Sequence, residues 1–152
     1  MAIPMPPSGR AEPTLFYVIK QMELAVRAQL DALLRPAGIT VPQYTALTVL
    51  ERRDGLTAAE LARNSFVTAQ SMADVVTALE QRGFIVRRVD PAHRRRLTIS
   101  LTDGGRQLLD GLRESVAALE ARMTAGLSPP QVCELTSYLH CCRAALADGP
   151  PH

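Results

Sequence analysis

Apolar residues recur every three or four positions through most of the chain, a spacing that predicts amphipathic helices. The first such stretch begins at Thr14 and ends before Pro36 and Gly38, and it predicts a helix of about twenty residues. Thr40 and Gln43 then form a predicted capping box, in which each side chain bonds the backbone N–H of the other residue. A second long stretch of helical periodicity is therefore expected to begin there.

Two shorter helices follow in the pattern. Thr57 and Glu60 form another predicted capping box, and residues 69–82 show helical spacing with a core-facing stripe. The turn between these helices contains no glycine. Asn64 is therefore the residue expected to adopt a left-handed conformation there, and Phe66 is expected to pack rather than to read DNA.

The hydrophobic period changes to two in the segment 87–102. Asp90 and Pro91 predict a turn, and between residues 97 and 101 leucine and isoleucine alternate with threonine and serine. Strict alternation is typical of a half-buried strand. The segment is therefore predicted to form a β-hairpin.

The C-terminal part returns to helical spacing. Thr102 is a predicted cap for a long helix reaching Leu127, and Ser128 with Gln131 predicts a capping box for the last helix. Together with the first helix, these helices carry more apolar surface than one small domain can cover. That excess favours a homodimer built from both ends of the chain.

This element order predicts a fold that is mainly α with a small β-hairpin, namely a winged helix-turn-helix with N- and C-terminal dimerisation helices. The expected divisions are a flexible N-terminal arm (1–13), a dimerisation helix (14–38), a winged helix-turn-helix DNA-binding domain (39–102), C-terminal dimerisation helices (103–147) and a frayed tail (148–152).

Charge is distributed unevenly along the chain. The formal net charge is only +2, but residues 82–96 contain six arginines and a single acidic residue, Asp90. This stretch therefore carries +5, and the rest of the chain carries −3. A basic patch on a mildly acidic body is typical of proteins that bind nucleic acid.

Two stretches together resemble the MarR family of bacterial transcriptional regulators, and the resemblance extends over residues 14–147. DPAHRRRLTISLTDGGRQLL is similar to the family's wing, with its Asp-Pro, paired arginines, Leu-Thr and Gly-Arg. LTAAELARNSFVTAQSMADVVTALEQRGFI is similar to its helix-turn-helix. The chain differs at His93, where the family usually has aspartate before the paired arginines. Which arginine is oriented by Asp90 instead stays open.

In a helix-turn-helix, the second helix lies in the major groove of DNA. The candidate DNA-binding residues on that helix are Thr68, Gln70, Ser71, Asp74 and Thr77. Gln70 is the best candidate to read a base, because its amide can pair with adenine. Asp74 either accepts a hydrogen bond from cytosine or pairs with a neighbouring arginine. The alternative for Gln70 is that it is an ordinary exposed helix residue.

The resemblance implies that the tip of the wing enters the adjacent minor groove, where arginine reads A·T-rich sequence. Arg94 or Arg95 is the candidate for that role. The other candidate DNA-binding residues of the wing are Arg87, Arg88, Asp90, His93 and Arg96. Its arginines are expected to act as phosphate clamps. With four to six phosphates neutralised per protomer, the log–log salt slope would be roughly −7 to −11. The expected operator is a pseudo-palindrome in double-stranded DNA.

Many members of this family bind small phenolic or aromatic carboxylates near the dimer helices. The candidate ligand-binding residues that this implies are Phe16, Tyr17, Met22 and Tyr44. The alternative is that these side chains belong to the hydrophobic core, as most aromatic residues and methionines at helical spacing do.

The cysteines Cys133, Cys141 and Cys142 lie near His140 at the C-terminal end. They are expected to be buried between dimer helices, the alternative being a thiol or metal site. No metal and no cofactor are predicted. Without an apolar run long enough to span a membrane or a signal peptide, the protein is expected in the cytoplasm, with no membrane partner.

The sequence therefore predicts a dimeric DNA-binding transcriptional regulator, a repressor relieved by a small aromatic ligand. The alternative is a winged-helix module that binds other proteins without contacting DNA. An enzyme is not expected, because the three histidines are scattered and no nucleophile–base pair or glycine-rich phosphate loop is found.

Overall fold

The computed structural model describes residues 11–147. The predicted tail 148–152, and the predicted arm up to residue 10, lie outside the described residues. In the described part the elements are α1 (Leu15–Leu34), a 3-10 turn (Arg35–Ala37), α2 (Val41–Arg52), α3 (Ala58–Asn64), α4 (Ala69–Gln81), β1 (Ile85–Asp90), β2 (His93–Leu101), α5 (Asp103–Met123) and α6 (Pro129–Ala147). The predicted fold class, mainly α with a small β-hairpin, is confirmed.

The predicted capping boxes are present. The Thr40 hydroxyl accepts the Gln43 N–H at 3.3 Å, and the Gln43 side chain accepts the Thr40 N–H at 3.0 Å. Thr57 and Glu60 form the same pair of bonds at the start of α3. Each box satisfies two backbone donors that have no partner inside the helix, which is why these helices begin where the sequence indicates.

One helix end differs from the prediction. The long helix was expected to reach Leu127, but α5 ends at Met123 and residues 124–127 form a turn. Gly126 lies in this turn, and glycine is among the poorest helix formers, which favours an end to the helix here.

The hairpin is antiparallel, and its second strand is paired on both sides. Ile85 lies opposite Leu101 and Arg88 opposite Thr98, with an irregularity between Val89 and Asp90. On the other side of β2, the Ile99 N–H donates to the Leu56 carbonyl at 2.7 Å. The Gly55 N–H also donates to the Ile99 carbonyl at 3.1 Å, so the loop after α2 pairs with the hairpin edge, and the sequence pattern gave no sign of it.

The chain divides into two compact units, residues 1–113 and 114–152. The first contains the hydrophobic core, whose fully buried side chains include Leu34, Leu47, Leu50, Leu61, Met72, Val76, Leu79 and Ile99. In the second unit, no described residue is buried. None of the described helices is long and apolar enough to cross a membrane.

The first turn of α5 packs directly on the backbone between α4 and β1. The Thr102 hydroxyl donates to the Gly83 carbonyl at 2.5 Å and accepts the Gly105 N–H at 3.1 Å. A Cβ atom added at Gly105 would lie 2.2 Å from the Phe84 carbonyl oxygen. Only glycine allows this approach, because that distance is well inside van der Waals contact.

We expect Gly105→Ala to lower the free energy of unfolding by about 1–3 kcal/mol, because the added methyl group forces backbone apart. Gly111→Ala, in the same helix, is the matched control: a Cβ atom there has nothing within 4 Å. It should raise stability by up to about 1 kcal/mol, since alanine favours the helix. Urea unfolding measures both, and equal effects of the two variants would contradict the close-packing argument.

Candidate nucleic-acid interface

The outer face of α4 carries the residues that the sequence analysis singled out. Met72, Val75, Val76 and Leu79 are buried, whereas Gln70, Ser71, Asp74 and Thr77 are exposed. The N-cap Thr68 accepts the Ser71 N–H at 3.1 Å. The predicted division of this helix into a core face and a solvent face is therefore correct, while contact with DNA stays a prediction.

Some polar side chains on this face are already hydrogen-bonded within the chain, and others are not. The Thr68 hydroxyl donates to the Ser71 side chain at 3.0 Å, and the Thr77 hydroxyl donates to the Ala73 carbonyl at 2.9 Å. The side chains of Gln70 and Asp74 have no hydrogen-bond or ion-pair partner within residues 11–147. The alternative in which Asp74 pairs with a neighbouring arginine is therefore not found, and the Gln70 amide keeps all its donors and acceptors.

Three of the six arginines in residues 82–96 are held by partners inside the chain. The first is Arg82, which donates to the Gly38 carbonyl at 2.6 Å and to the Ala37 carbonyl at 3.2 Å. Its guanidinium also lies 4.8 Å from the centre of the Phe84 ring. Arg82 thus connects the end of α4 to the turn between α1 and α2.

Arg87 forms a two-pronged ion pair with Glu80. Its Nε and terminal nitrogen donate to the two carboxylate oxygens at 3.1 and 2.8 Å. This pairing lowers the pKa of Glu80 and raises the pKa of Arg87, in both cases mainly through the side-chain hydrogen bonds. The pair ties the last turn of α4 to β1.

Arg96 reaches from β2 to the start of α3, where it donates to Glu60 at 2.9 Å. The other oxygen of Glu60 accepts the Thr57 N–H at 2.9 Å, as part of the capping box. The pKa of Glu60 lies below its ordinary value, mainly because of the Thr57 backbone hydrogen bond and to a smaller extent because Arg96 lies beside it. The charges of Arg87 and Arg96, predicted phosphate clamps, are thus compensated within the chain.

The hairpin tip is arranged around Asp90. One carboxylate oxygen accepts the Ala92 N–H at 3.0 Å, and the other lies 4.0 Å from Nε of Arg96. Arg96 is therefore the arginine that lies within ion-pair distance of Asp90, and its Nε makes no hydrogen bond. Among the described residues, the exposed Arg88, Arg94 and Arg95 have no partner for their guanidinium groups, and His93 is exposed too.

Arg94 and Arg95 are neighbours in β2, so their side chains leave opposite faces of the strand. Arg94 shares the face of Arg96 and of Arg88, whose register partner is Thr98. Arg95 shares the face of Leu97, which is 53% exposed. The two arginines are therefore not equivalent.

The turn of the helix-turn-helix differs from the prediction. Asn64 belongs to α3, and its side chain donates to the Glu60 carbonyl at 2.7 Å. Phe66 is the left-handed residue, with φ of 59°, and its side chain is 79% exposed. Both expectations for this turn were therefore wrong. Asn64 is the last residue of α3 and keeps a helical conformation, and the left-handed turn directs the Phe66 ring into solvent.

The candidate ligand-binding residues are mostly on the surface. Phe16, Tyr17 and Met22 of α1 are 75%, 56% and 43% exposed, and Tyr44 of α2 is half-buried. Within the described residues, the core alternative therefore does not hold for the three on α1. Their role in ligand binding stays a prediction.

The three cysteines are exposed on α6, so they are not buried within the described chain. Burial between subunits stays a prediction. Within residues 11–147, no group of three or more histidine, cysteine, aspartate or glutamate side chains is placed to hold a metal ion.

Known proteins resemble this chain both in sequence and in structure. Residues 37–96 match the model of the MarR family. The HTH-type transcriptional repressor Rv2887 of Mycobacterium tuberculosis is 35% identical over 125 residues, which are 82% of this chain and 90% of the repressor.

Two solved structures extend this likeness. A crystal structure of the M. tuberculosis MarR family protein Rv2887 in complex with salicylic acid has a TM-score of 0.70 and 34% identity, and the match covers 86% of this chain and 97% of that one. The transcriptional repressor CouR bound to a 23-mer DNA duplex has a TM-score of 0.78 and 29% identity, covering 86% and 92% of the two chains.

We expect Phe66→Gly to raise the free energy of unfolding by about 1 kcal/mol, because glycine adopts the left-handed conformation without the steric cost that Phe66 bears. Phe66→Ala removes the ring but keeps a Cβ atom, so it should gain little. Urea unfolding of the two variants separates backbone strain from loss of the ring. A glycine variant less stable than the alanine variant would contradict the strained-turn argument.

Proposed function

Because this chain belongs to the MarR family of bacterial transcriptional regulators, we propose that it is a dimeric, sequence-specific DNA-binding repressor relieved by a small aromatic ligand. It acts on double-stranded DNA in the cytoplasm and has no catalytic activity of its own. The observation that carries the proposal is that Arg88, Arg94 and Arg95 have no guanidinium partner within residues 11–147. They lie on a hairpin that is anchored beside the exposed face of α4.

The first part of the proposed interface is α4. Its first turns enter the major groove, and the unpartnered amide of Gln70 pairs with an adenine. Ser71 and Thr68 contact phosphate or a base edge with their hydroxyl groups, and Thr77 flanks them. The unpaired carboxylate of Asp74 faces DNA only where it can accept a hydrogen bond from cytosine, so it contributes to selectivity rather than to affinity.

The second part is the hairpin tip. Either Arg94 or Arg95 enters the minor groove, and the other arginine and Arg88 neutralise phosphates, with His93 beside them. Three unpaired arginines per protomer give six contacts in a dimer, so the hairpins contribute about −5 to the log–log salt slope. This is smaller than the slope expected from the sequence, because Arg87 and Arg96 are already paired with carboxylates.

Dimerisation is proposed from the two ends of the chain, each considered by itself. On α1, the exposed apolar residues include Leu15, Phe16, Val18 and Ile19. On α6, Leu135, Leu139 and Leu146 are exposed in the same way. Large exposed apolar patches mark interfaces in water-soluble proteins, and a second copy of this chain is the proposed occupant. Residues 14–38 and 103–147 would then serve dimerisation and 39–102 DNA binding.

The ligand is proposed to be a small aromatic carboxylate. Support comes from Rv2887, whose crystal structure is a complex with salicylic acid. Phe16, Tyr17 and Met22 offer aromatic and sulfur surface on α1, and Tyr44 offers a hydroxyl group on α2. Since three of these side chains are exposed in the single chain, the proposed pocket is completed by dimerisation.

We expect Arg94→Ala/Arg95→Ala to weaken operator binding at least tenfold and to reduce the salt slope by up to about 4, because four cationic contacts per dimer are lost. Fluorescence anisotropy at several salt concentrations measures both quantities. Gln70→Ala should instead relax the base preference and leave the slope unchanged. A salt slope near zero for the intact protein would argue against DNA binding. If the double variant did not fold, Arg94 and Arg95 would be needed for the structure rather than for DNA binding.

We expect salicylate to raise the melting temperature and to weaken operator binding, since a ligand that binds the folded state stabilises it in proportion to the logarithm of its concentration. Phe16→Ala should reduce the thermal shift. Phe66→Ala is the matched control, an exposed phenylalanine outside the proposed pocket. If salicylate raised the melting temperature equally in both variants and in the intact protein, Phe16 would not be part of the ligand site.

A further inference from the structure

Arg96 lies in a line of polar groups that links the hairpin to the helix-turn-helix, although its Nε makes no hydrogen bond. Its guanidinium donates to Glu60 at 2.9 Å, and Glu60 in turn accepts the Thr57 N–H at the start of α3. On the other side, Nε of Arg96 lies 4.0 Å from Asp90, which accepts the Ala92 N–H of the tip turn. The line runs from the tip of the hairpin to the cap of α3.

The outer half of the hairpin has few other contacts that could fix its direction. Its base is held by the Ile99–Leu56 pairing and by the Arg87–Glu80 ion pair. Beyond that point, the facing residues Val89 and Leu97 are 54% and 53% exposed, so they pack against little. An isolated two-stranded hairpin is at best marginally stable in water. Any side-chain link to the helices therefore has a large influence on where the tip lies.

We propose that Arg96 is a positioning residue, whose ion pair with Glu60 sets the distance between the hairpin tip and the α3–α4 reading unit. The proposal rests on the proposed DNA-binding function, because it assigns to this distance the role of matching a major-groove contact to a minor-groove contact. It departs from the assignment of Arg96 as a phosphate clamp.

Electrostatics favours this role over a phosphate contact. The Arg96 guanidinium is already neutralised by Glu60, and Asp90 lies on its other side. Turning Arg96 towards DNA would leave the Glu60 carboxylate unpaired near a polyanion, which repels it. Arg88 lies on the same face of the hairpin, two register positions away, and has no such partner. Arg88 is therefore the phosphate-binding counterpart of Arg96.

The chain offers a clean way to break this link. In Glu60→Gln, the amide oxygen still accepts the Thr57 N–H, since glutamine serves as well as glutamate in a capping box. The amide nitrogen then faces Arg96, and the ion pair is lost while the start of α3 is preserved. Arg96→Gln removes the other partner. Arg88→Gln is the matched control for loss of one hairpin charge.

The first measurement uses the duplex that the intact protein selects from random sequences. Glu60→Gln and Arg96→Gln should each weaken binding about three- to tenfold, and the double variant should bind no worse than either single one, because both break the same pair. Neither should change the salt slope. Arg88→Gln should reduce the slope by about 2 per dimer. The proposal would be overturned if Arg96→Gln reduced the salt slope as much as Arg88→Gln does. It would also be overturned if the losses of affinity in Glu60→Gln and Arg96→Gln added up in the double variant.

The second measurement inserts one base pair between the major-groove and minor-groove contacts of the selected duplex. The intact protein and Arg88→Gln should discriminate strongly against this insertion, whereas Glu60→Gln and Arg96→Gln should discriminate less, because their tips are free to follow the groove. A purely stabilising role for the ion pair would leave the discrimination unchanged, and that result would contradict positioning.

A third measurement needs no DNA and separates this proposal from the proposed function. Amide hydrogen exchange in residues 92–95 should be faster in Glu60→Gln and Arg96→Gln than in Arg88→Gln. Unchanged exchange would overturn the positioning role even if DNA binding holds. If the intact protein selects no duplex while exchange rises as expected, the DNA-binding function fails and the structural link stands.

Discussion

The position of the hairpin depends on the backbone pairing between Ile99 and Leu56. Both side chains are buried, and the 2.7 Å hydrogen bond between them attaches β2 to the loop that precedes α3. With this edge fixed, the two faces of the hairpin reach different helices: Arg87 bonds to Glu80 at the end of α4, and Arg96 bonds to Glu60 at the start of α3. The hairpin is therefore attached at one edge and on both faces to the helices that it flanks.

The arginines of this region serve two physical purposes. Arg82, Arg87 and Arg96 bond to carbonyl or carboxylate groups of the chain, so their charge is used to hold elements together. Arg88, Arg94 and Arg95 stay exposed, and their charge is available to a polyanion. Net charge along the sequence does not distinguish these groups. A basic stretch thus overstates the charge offered to DNA, because part of it is neutralised by glutamates that are distant in sequence.

The glutamates are as important to the proposed interface as the arginines. Glu60 caps α3 and anchors the hairpin at once, so the geometry of a helix start is coupled to the geometry of the wing. Among the described residues, several apolar side chains of α1 and of α6 are exposed. In the proposed regulator, the hairpin and α3–α4 would read DNA as one connected unit, and a second copy of the chain would bury α1 and α6.

The sequence by itself determined the helices, their caps, the hairpin turn and the two faces of α4. These features follow from interactions between residues three or four positions apart, or from strand alternation, so neighbouring residues encode them. Tertiary structure alone decided which arginines are paired, because their partners lie 7, 36 and 44 residues away. It also decided the Leu56 pairing, which joins residues distant in sequence, and the left-handed Phe66, whose conformation opposes its local preference.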